Sequence, residues 1–347
     1  MAATEANAGA IPLDAKVAFL REPHNYPEPT SRVEAVETHM SWVFLTERYA
    51  YKLKKPVCHG EFDARSIGQR QFYCAEELRL NRRLAAQIYL AVLPLTLDAQ
   101  GHLQLDGEGG VVDWLVKMRR LPAALMLDRA LAACTANEET LRPVMALLAA
   151  FYSTCTPVAI SAADYCHRLG ATMAQNCRAL GAPAYLLQGD RLDRIFGNLQ
   201  RFLTTQSGML HQRVHGGHII EGHGDLRAEH VFLGQPPAVI DCLEFSRRLR
   251  IADSADEIGF LALECERLDG CLLGEALLRR YAALTGDTPP PVLTHFYRAL
   301  RATTRASLSI RHLDEEKFRY SPEWRRRAND YLDLADRHAG MATSLSR

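Results

Sequence analysis

No stretch of this chain is apolar for long enough to cross a lipid bilayer. The longest apolar runs, such as residues 144–151, fall far short of the ~18 residues that a membrane-spanning helix needs. The amino terminus has no charged segment ahead of an apolar stretch, so the sequence predicts no secretory signal peptide. These absences predict a cytoplasmic protein that does not associate with a membrane.

An excess of charge of one sign is also lacking. The 347 residues include 41 Lys and Arg against 41 Asp and Glu. Proteins that bind nucleic acid or acidic membranes do so through a basic field, so neither partner is expected. Two local clusters, residues 247–250 and 325–327, are candidate anion-binding patches, although solvated faces explain most such runs.

Regularly spaced cysteine pairs are absent as well. The chain has nine cysteines, an odd number, with no CxxC motif, and most of them lie inside apolar runs. This pattern is typical of buried free thiols in a reducing compartment, and it argues against a disulfide framework.

The first third of the chain has strand chemistry, and the remainder is mostly helical. After a predicted disordered tail (1–10) and a short helix (13–19), the pattern predicts a hairpin at 41–46 and 49–54, a helix at 72–86, and strands at 90–97 and 111–118. Apolar residues at three- and four-residue spacing then predict helices at 141–153, 162–180, 188–206, 254–268, 272–284 and 291–312. This order predicts an α+β fold with a small sheet lobe and a larger helical lobe.

One compact non-helical insertion, residues 218–245, interrupts the helices. It holds Asp225 in a His-Gly-Asp-Leu motif, and Asp241 follows sixteen residues later after a short apolar run. Phosphoryl transfer from a nucleotide needs a carboxylate to orient or deprotonate the acceptor hydroxyl, a second carboxylate on the metal, and cations on the phosphates. The two aspartates fit these needs, yet the chemistry alone does not identify a kinase.

The motif at 223–226, followed by Ile240-Asp241, resembles the catalytic loop and metal-binding strand of aminoglycoside phosphotransferases and choline kinases. The resemblance is closer still to a bacterial branch of that superfamily whose members are often fused to a P-loop domain. Further segments that match this branch in order are 36–45, 49–56, 76–84, 116–120, 241–245 and 297–299. The 347 residues contain no GxxxxGK[ST] motif, so the fused domain is not expected here.

The resemblance implies a two-lobed, protein-kinase-like fold. It divides the chain into a tail and short helix (1–32), a nucleotide-binding N-lobe (33–121), and a catalytic, acceptor-binding C-lobe (122–347). It also implies an ATP-dependent phosphotransferase that moves the γ-phosphoryl group to a hydroxyl of an unidentified small molecule, with ATP and Mg²⁺ as cofactors.

Carried over residue by residue, the resemblance assigns roles within both lobes. Asp225 would orient or deprotonate the acceptor hydroxyl, and Asp241 would hold Mg²⁺. Lys52 would steady the α- and β-phosphates, with Glu77 as its helix partner and Glu76 as the alternative.

Two assignments in the N-lobe are less specific. Lys54 lies on the same strand face as Lys52 and is the alternative phosphate contact. Residues 116–121 would form the last strand and the hinge along which adenine lies, with Met118 among the contacts.

The sequence departs from the family pattern at His230. The family has Asn there, five residues after the catalytic aspartate, as a ligand of the second metal. An imidazole can bind Mn²⁺ or Zn²⁺ but is a poor ligand for Mg²⁺. The departure motivates a second hypothesis, a catalytically impaired kinase-like module that binds nucleotide or a partner, and it leaves Mn²⁺ as an alternative metal. A further departure is that no glycine-rich loop precedes Lys52.

Three further features carry weaker hypotheses. The histidines of residues 211–230 suggest a zinc hydrolase as a third hypothesis, although no HExxH motif is present. Asp256 begins an apolar helix and is interpreted as a residue that positions the loop. Tyr297 and Arg298 are hypothesised to line the acceptor cleft.

Overall fold

The structure of the protein, a computed structural model, describes residues 11–344. The predicted disordered tail at residues 1–10 lies outside the described residues. Packing divides the chain into a first unit, Met1–Leu125 with Gly234–Leu249, and a second unit, Met126–Leu233 with Arg250–Arg347. The first unit is built on an antiparallel sheet and the second is mostly helical, which confirms the predicted α+β fold.

The first unit contains a six-stranded sheet with the strand order β1-β2-β3-β8-β6-β7. All of its neighbouring strands are antiparallel. Its elements are α1 (Leu13–Arg21), β1 (Glu34–Glu37), β2 (Ser41–Leu45), β3 (Tyr49–Lys54), β4 (Cys58–His59), β5 (Phe62–Asp63), α2 (Ile67–Ala85), β6 (Tyr89–Leu97), β7 (Leu103–Leu105), β8 (Gly110–Arg119) and β11 (Ala238–Val239).

Strand β3 alternates between two environments because successive side chains point to opposite faces of a sheet. Tyr51 and Leu53 pack into an apolar core with Leu20 of α1. Lys52 and Lys54 point to the other face, on the side of α2. The alternation in the sequence therefore separates the core residues of this strand from its charged residues.

The predicted hairpin, the short first helix and the two later strands are confirmed, with small shifts at their ends. Helix α2 begins at Ile67 and not at residue 72, because Ser66 caps it by accepting a hydrogen bond from the Gln69 N–H. Strand β7 was not predicted, since it has only three residues beside a glycine-rich turn.

The second unit contains most of the helices, and the long helices predicted from spacing are confirmed. Its elements are α3 (Leu127–Ala132), α4 (Glu138–Thr154), α5 (Ala162–Leu180), α6 (Gly189–Thr205), α7 (Ser207–His215), β9 (Ile219–Glu221), β10 (Val231–Phe232), β12 (Ile251–Asp253), α9 (Ser254–Arg267), α10 (Cys271–Thr285), α11 (Pro291–Arg311) and α12 (Pro322–Ser344). Helices α5, α6, α9, α11 and α12 share one core, in which Phe202 and Phe296 stack at 4.1 Å between ring centroids.

Helices α3, α7 and α12 were missed by the sequence prediction. Helix α12 is the longest, and its first turns carry the run Arg325-Arg326-Arg327, which was interpreted only as a charged patch. Its buried residues, such as Tyr331 and Leu332, begin after that run. Among the helices described between residues 11 and 344, none has both the length and the apolar character that a membrane span requires.

Residues 234–249 pack with the first unit, although the predicted boundary at 121–122 assigns them to the C-lobe. The backbone N–H of Asp241 donates to the Tyr89 hydroxyl at 3.1 Å, and the N–H of Cys242 donates to Asn81 Oδ1 at 2.9 Å. These bonds hold the segment against α2 and β6. The short helix α8 (Arg247–Arg250) lies where the chain returns to the second unit.

Candidate functional site

Five charged side chains of the first unit form what we call the lysine-bridged cluster: Lys52, Lys54, Glu77, Asp241 and Glu244. Lys52 Nζ lies 2.9 Å from Glu77 Oε1 and 2.6 Å from Asp241 Oδ1. Lys54 Nζ lies 2.6 Å from Glu77 Oε2 and 2.5 Å from Glu244 Oε1. Glu77 therefore bridges two lysines that share one face of β3.

Burial and the neighbouring charges shift the pKa values of this cluster in opposite directions. Burial alone would lower the pKa of Lys52, but the Asp241 and Glu77 carboxylates raise that pKa well above its usual value. Burial would raise the pKa of Glu77, yet Lys52 and Lys54 lower it. Lys52 and Glu77 are therefore both charged at neutral pH.

Asp241 has a backbone conformation that few residues other than glycine adopt, with a φ of 62°. Such a conformation persists only when the surroundings enforce it, and the hydrogen bonds to Tyr89 and Asn81 do so here. Its carboxylate is 44% exposed while one oxygen contacts Lys52. Carboxylate oxygens are the ligands that Mg²⁺ prefers, so this residue fits a magnesium site.

The loop that carries Asp225 lies in the second unit and is held by Glu257 of α9. The buried Glu257 accepts hydrogen bonds from the N–H groups of His223 at 2.9 Å and Gly224 at 2.5 Å. A Cβ at Gly222 would lie 2.2 Å from Glu257 Oε2, so any other residue there would displace the Glu257 carboxylate that holds the loop. Burial raises the pKa of Glu257, and the two N–H donors offset only part of that rise.

Arg301 of α11 also holds the loop that carries Asp225. Its guanidinium binds Asp256 through two hydrogen bonds of 2.9 and 2.7 Å and donates to the carbonyl of Gly224 at 3.1 Å. Asp256 thus acts on the loop through Arg301. The sequence reasoning named Asp256 but missed Glu257 and Arg301, because no spacing links α9 and α11 to a loop more than thirty residues upstream.

Asp225 is surrounded by cations. Arg227 Nε donates to Asp225 Oδ2 at 2.8 Å, and Arg305 Nη1 lies 3.8 Å from Oδ1. Burial would raise the pKa of Asp225, but Arg227, Arg305 and His230 lower it far below its usual value. Asp225 is therefore ionised at any physiological pH and is a weak base.

No protein-family model matches the chain. Uncharacterised proteins of Mycobacterium tuberculosis and Mycobacterium bovis are each 32% identical over 317 residues, which cover 90% of this chain and 60% of theirs. The chain thus spans about 60% of the length of these relatives.

Among solved structures, a choline/ethanolamine kinase family protein from Mesorhizobium loti matches with a TM-score of 0.53 and 14% identity, covering 95% of this chain and 98% of that one. The protein has this kinase-like fold. An aminoglycoside phosphotransferase from Streptomyces rimosus aligns at 16% identity over 85% of this chain and 99% of that one, with a TM-score of 0.47. The fold assignment rests on the Mesorhizobium protein.

Within this kinase-like fold, Lys52 contacts Glu77, whereas Glu76 pairs with Arg79 on the surface of α2. Lys54 is 1% exposed and lies between two carboxylates. Met118 is half-buried on β8, opposite Ala50 of β3. The nucleotide roles assigned to Lys52, Glu77 and Met118 stay predictions.

His230 is the second residue for which the sequence predicts a metal contact. Its Nε2 lies 3.0 Å from Arg227 Nη2, and its Nδ1 lies 2.8 Å from the backbone oxygen of Asp225. A guanidinium only donates, so Nε2 accepts from Arg227 and Nδ1 donates to the backbone oxygen of Asp225. The metal role of His230 stays a prediction.

The described residues do not support two of the weaker hypotheses, the zinc hydrolase and the cleft-lining role of Tyr297 and Arg298. No group of three metal-ligating atoms within residues 11–344 includes His211, His215 or His218, so the zinc-hydrolase hypothesis has no site there. The expectation that Tyr297 and Arg298 line an open cleft is wrong. Both are buried, and the Tyr297 hydroxyl donates to Asp253 at 2.9 Å.

Proposed function

We propose that this protein is an ATP-dependent phosphotransferase that moves the γ-phosphoryl group of ATP to a hydroxyl of a small molecule. The observation that carries the proposal is the contact of Lys52 with both Glu77 and Asp241 on a kinase-like fold. Kinases use a lysine held by a helix glutamate to steady the nucleotide phosphates, and an aspartate to hold the metal.

The lysine-bridged cluster would form the phosphate and metal side of the reaction. Lys52 is 15% exposed and Lys54 only 1% exposed, which supports Lys52 as the phosphate contact and Lys54 as the residue that neutralises Glu77 and Glu244. Asp241 would hold Mg²⁺, which when bound neutralises phosphate charge. Met118 would contribute to the adenine contact from the last strand.

Asp225 would act on the acceptor. Its lowered pKa makes it a poor base, so its main role would be to accept a hydrogen bond from the acceptor hydroxyl and orient the oxygen for attack. As the new P–O bond to the acceptor forms and the bond between the γ-phosphorus and ADP breaks, the hydroxyl proton would pass to the Asp225 carboxylate and ADP would leave. Glu257 and Arg301 would keep the loop in position through its backbone, which the reaction requires to within a fraction of an ångström.

The proposal is tested with γ-labelled ATP, Mg²⁺ and a fractionated pool of small metabolites. We expect label to appear in an acid-stable product with the wild type and not with Asp225→Asn. Nucleotide binding by the variant, measured by titration with ADP and Mg²⁺, controls for folding. A pool that gives no labelled product, or gives equal product with both proteins, would contradict the proposal.

A second candidate is a nucleotide-binding module without transfer activity. The orientation of His230 favours it, because the position that holds a second metal ligand in related kinases is occupied by a ring bonded to Asp225 and Arg227. A thermal-shift comparison of ATP alone, with Mg²⁺ and with Mn²⁺ separates the candidates when it is combined with a turnover assay. Metal-independent binding without turnover supports the module, whereas metal-dependent binding with turnover supports the enzyme.

A further inference from the structure

Four arginines of the second unit have buried Nε–H groups without a hydrogen-bond partner among the described residues. They are Arg267 on α9, Arg298 and Arg305 on α11, and Arg327 on α12. Of these, Arg298 is paired with Glu275 at 2.9 Å. A buried donor without a partner is costly, and native structures contain few of them. Four such donors on three different helices call for a physical reason.

The side chains of Arg267, Arg305 and Arg327 are related through Tyr331 and Glu229. The guanidinium carbons of Arg267 and Arg305 lie 5.3 and 5.9 Å from the ring centre of Tyr331. Arg227, Arg327 and Arg305 all lower the pKa of Glu229, and Glu229 in turn acts on Arg267. Glu229 is 40% exposed, so the region around it opens to solvent. We call Arg267, Arg305 and Arg327 the arginine cluster.

The arginine cluster is poorly paired with carboxylates. Arg267 makes one hydrogen bond, of 3.2 Å, to Glu264. Arg305 makes none to the described residues, and its contact with Asp225 Oδ1, at 3.8 Å, is too long to be one. Arg327 lies over the ring of Trp324 and has no ion pair within 4 Å among residues 11–344.

A guanidinium presents five N–H donors in a planar fork that matches a carboxylate or a phosphate. Several such forks with unused donors, open to solvent on one side, form a site for an oxyanion. The site adjoins Asp225 because Arg305 contacts that carboxylate.

We propose that the arginine cluster binds an oxyanion group of the acceptor, so that the acceptor is a hydroxyl compound that carries a phosphate or a carboxylate. The inference rests on the proposed function, since Asp225 marks where the acceptor hydroxyl lies. A cationic acceptor such as an aminoglycoside would meet like charge at this site. The run at residues 325–327, a candidate anion patch in the sequence, contributes one of its residues.

The oxyanion site is tested first without any reaction. Inorganic phosphate is titrated into the full chain, at constant ionic strength, and binding is followed by calorimetry. We expect Arg305→Gln and Arg327→Gln each to weaken phosphate binding about tenfold, the usual loss for a charge-assisted hydrogen bond. Arg326→Gln, an exposed neighbour of Arg327 on the same helix, is the matched control and should bind as the wild type does.

Lys52→Met separates this site from the phosphate-binding residues of the nucleotide site. Phosphate binding that survives Lys52→Met but not Arg327→Gln supports the arginine cluster. Binding that is lost only in Lys52→Met, or no saturable binding in the wild type, would overturn the inference. Circular dichroism of each variant confirms folding, and Arg305→Lys, which keeps the charge, should recover part of the affinity.

A panel of acceptors then tests the substrate class and separates the two oxyanions. The panel contains sugar phosphates, sugar acids, neutral sugars and amino sugars, each assayed with ATP and Mg²⁺. We expect transfer to one of the two anionic groups, with a KM about tenfold higher in Arg327→Gln and a kcat that changes little. Transfer to neutral or amino sugars that is indifferent to Arg327 would refute the acceptor class while leaving the proposed function standing. If no compound is phosphorylated while phosphate binding still depends on Arg327, that result would instead contradict the proposed function.

Discussion

The lysine-bridged cluster of the first unit and the surroundings of Asp225 in the second unit both bring carboxylates and cations together, but they use different cations. In the cluster, three carboxylates contact Lys52 and Lys54. In the second unit, the carboxylates of Asp225 and Glu229 contact the guanidinium groups of arginines. A lysine ammonium is a compact point charge, whereas a guanidinium presents a planar fork of donors that matches an oxyanion. The two settings therefore suit different tasks.

Two buried glutamates show a second contrast. Glu77 is neutralised by lysines, and its pKa is lowered. Glu257 is bonded to neutral backbone N–H groups, and burial raises its pKa. Glu77 therefore pairs with two lysines, whereas Glu257 holds the backbone of the Asp225 loop.

The largest expected effect is on activity. Asp225→Asn removes the charge that would orient the acceptor hydroxyl, and we expect transfer to fall by a factor on the order of 10³. The rate of labelled-product formation at saturating ATP measures this. A variant that keeps a third of the wild-type rate would show that Asp225 does not contact the reacting hydroxyl.

The next effect is on stability in the first unit. Lys54→Met leaves Glu77 without one of its two cations in a buried setting, and we expect the free energy of unfolding to fall by roughly 3–5 kcal/mol. Urea denaturation measures the change. Arg79→Met on α2, which breaks an exposed pair with Glu76, should cost at most about 1 kcal/mol. Equal costs for the two substitutions would mean that the cluster adds nothing to the fold.

A smaller effect is expected for the loop glutamate. Glu257→Gln replaces one of two acceptor oxygens by an NH₂ group that faces a backbone N–H, and we expect a loss of about 1–3 kcal/mol. Glu323→Gln, at an exposed position of α12, should be neutral. The urea midpoint of each variant gives the comparison, and a Glu257→Gln midpoint equal to that of Glu323→Gln would exclude the bracing role.

The smallest expected effects are changes with pH in the free energy of unfolding. The contributions of Glu77 and Glu257 to it should change in opposite directions. The pKa of Glu77 is lowered by folding, so its stabilisation is complete above the ordinary carboxyl pKa of about 4.3 and is lost as the pH falls through the folded value. The pKa of Glu257 is raised by folding, so its contribution is greatest below about 4.3 and declines as the pH rises through the folded value.

Unfolding free energies of the wild type, Glu77→Gln and Glu257→Gln, measured from pH 8 down to about pH 2, test this contrast. The difference between the wild type and Glu77→Gln should shrink towards low pH. The difference between the wild type and Glu257→Gln should shrink towards high pH. Parallel pH profiles for the two variants would show that the environments do not differ in this way.

The sequence predicted what depends on local pattern. Alternation in β3 placed Lys52 and Lys54 on one face, and three- and four-residue spacing predicted the long helices. The choice between Glu76 and Glu77 stayed open because adjacent helix positions differ by only 100° in direction, and packing against β3 decides it.

Long-range contacts could not be predicted. Glu257, Arg301 and Arg305 reach the Asp225 loop from α9 and α11, and nothing in their local sequence marks them. Helix α12 was missed because its arginine-rich start conceals the amphipathic pattern that follows. The residues that set the charge around Asp225 therefore come from distant helices, and only the packing of those helices brings them together.

The most direct measurement titrates a non-hydrolysable ATP analogue with Mg²⁺ into the wild type, Asp241→Asn and Asp225→Asn. The account predicts one metal-dependent site per chain, with affinity at least about tenfold weaker in Asp241→Asn and nearly unchanged in Asp225→Asn. Binding that ignores Mg²⁺, or that both substitutions weaken equally, would contradict it.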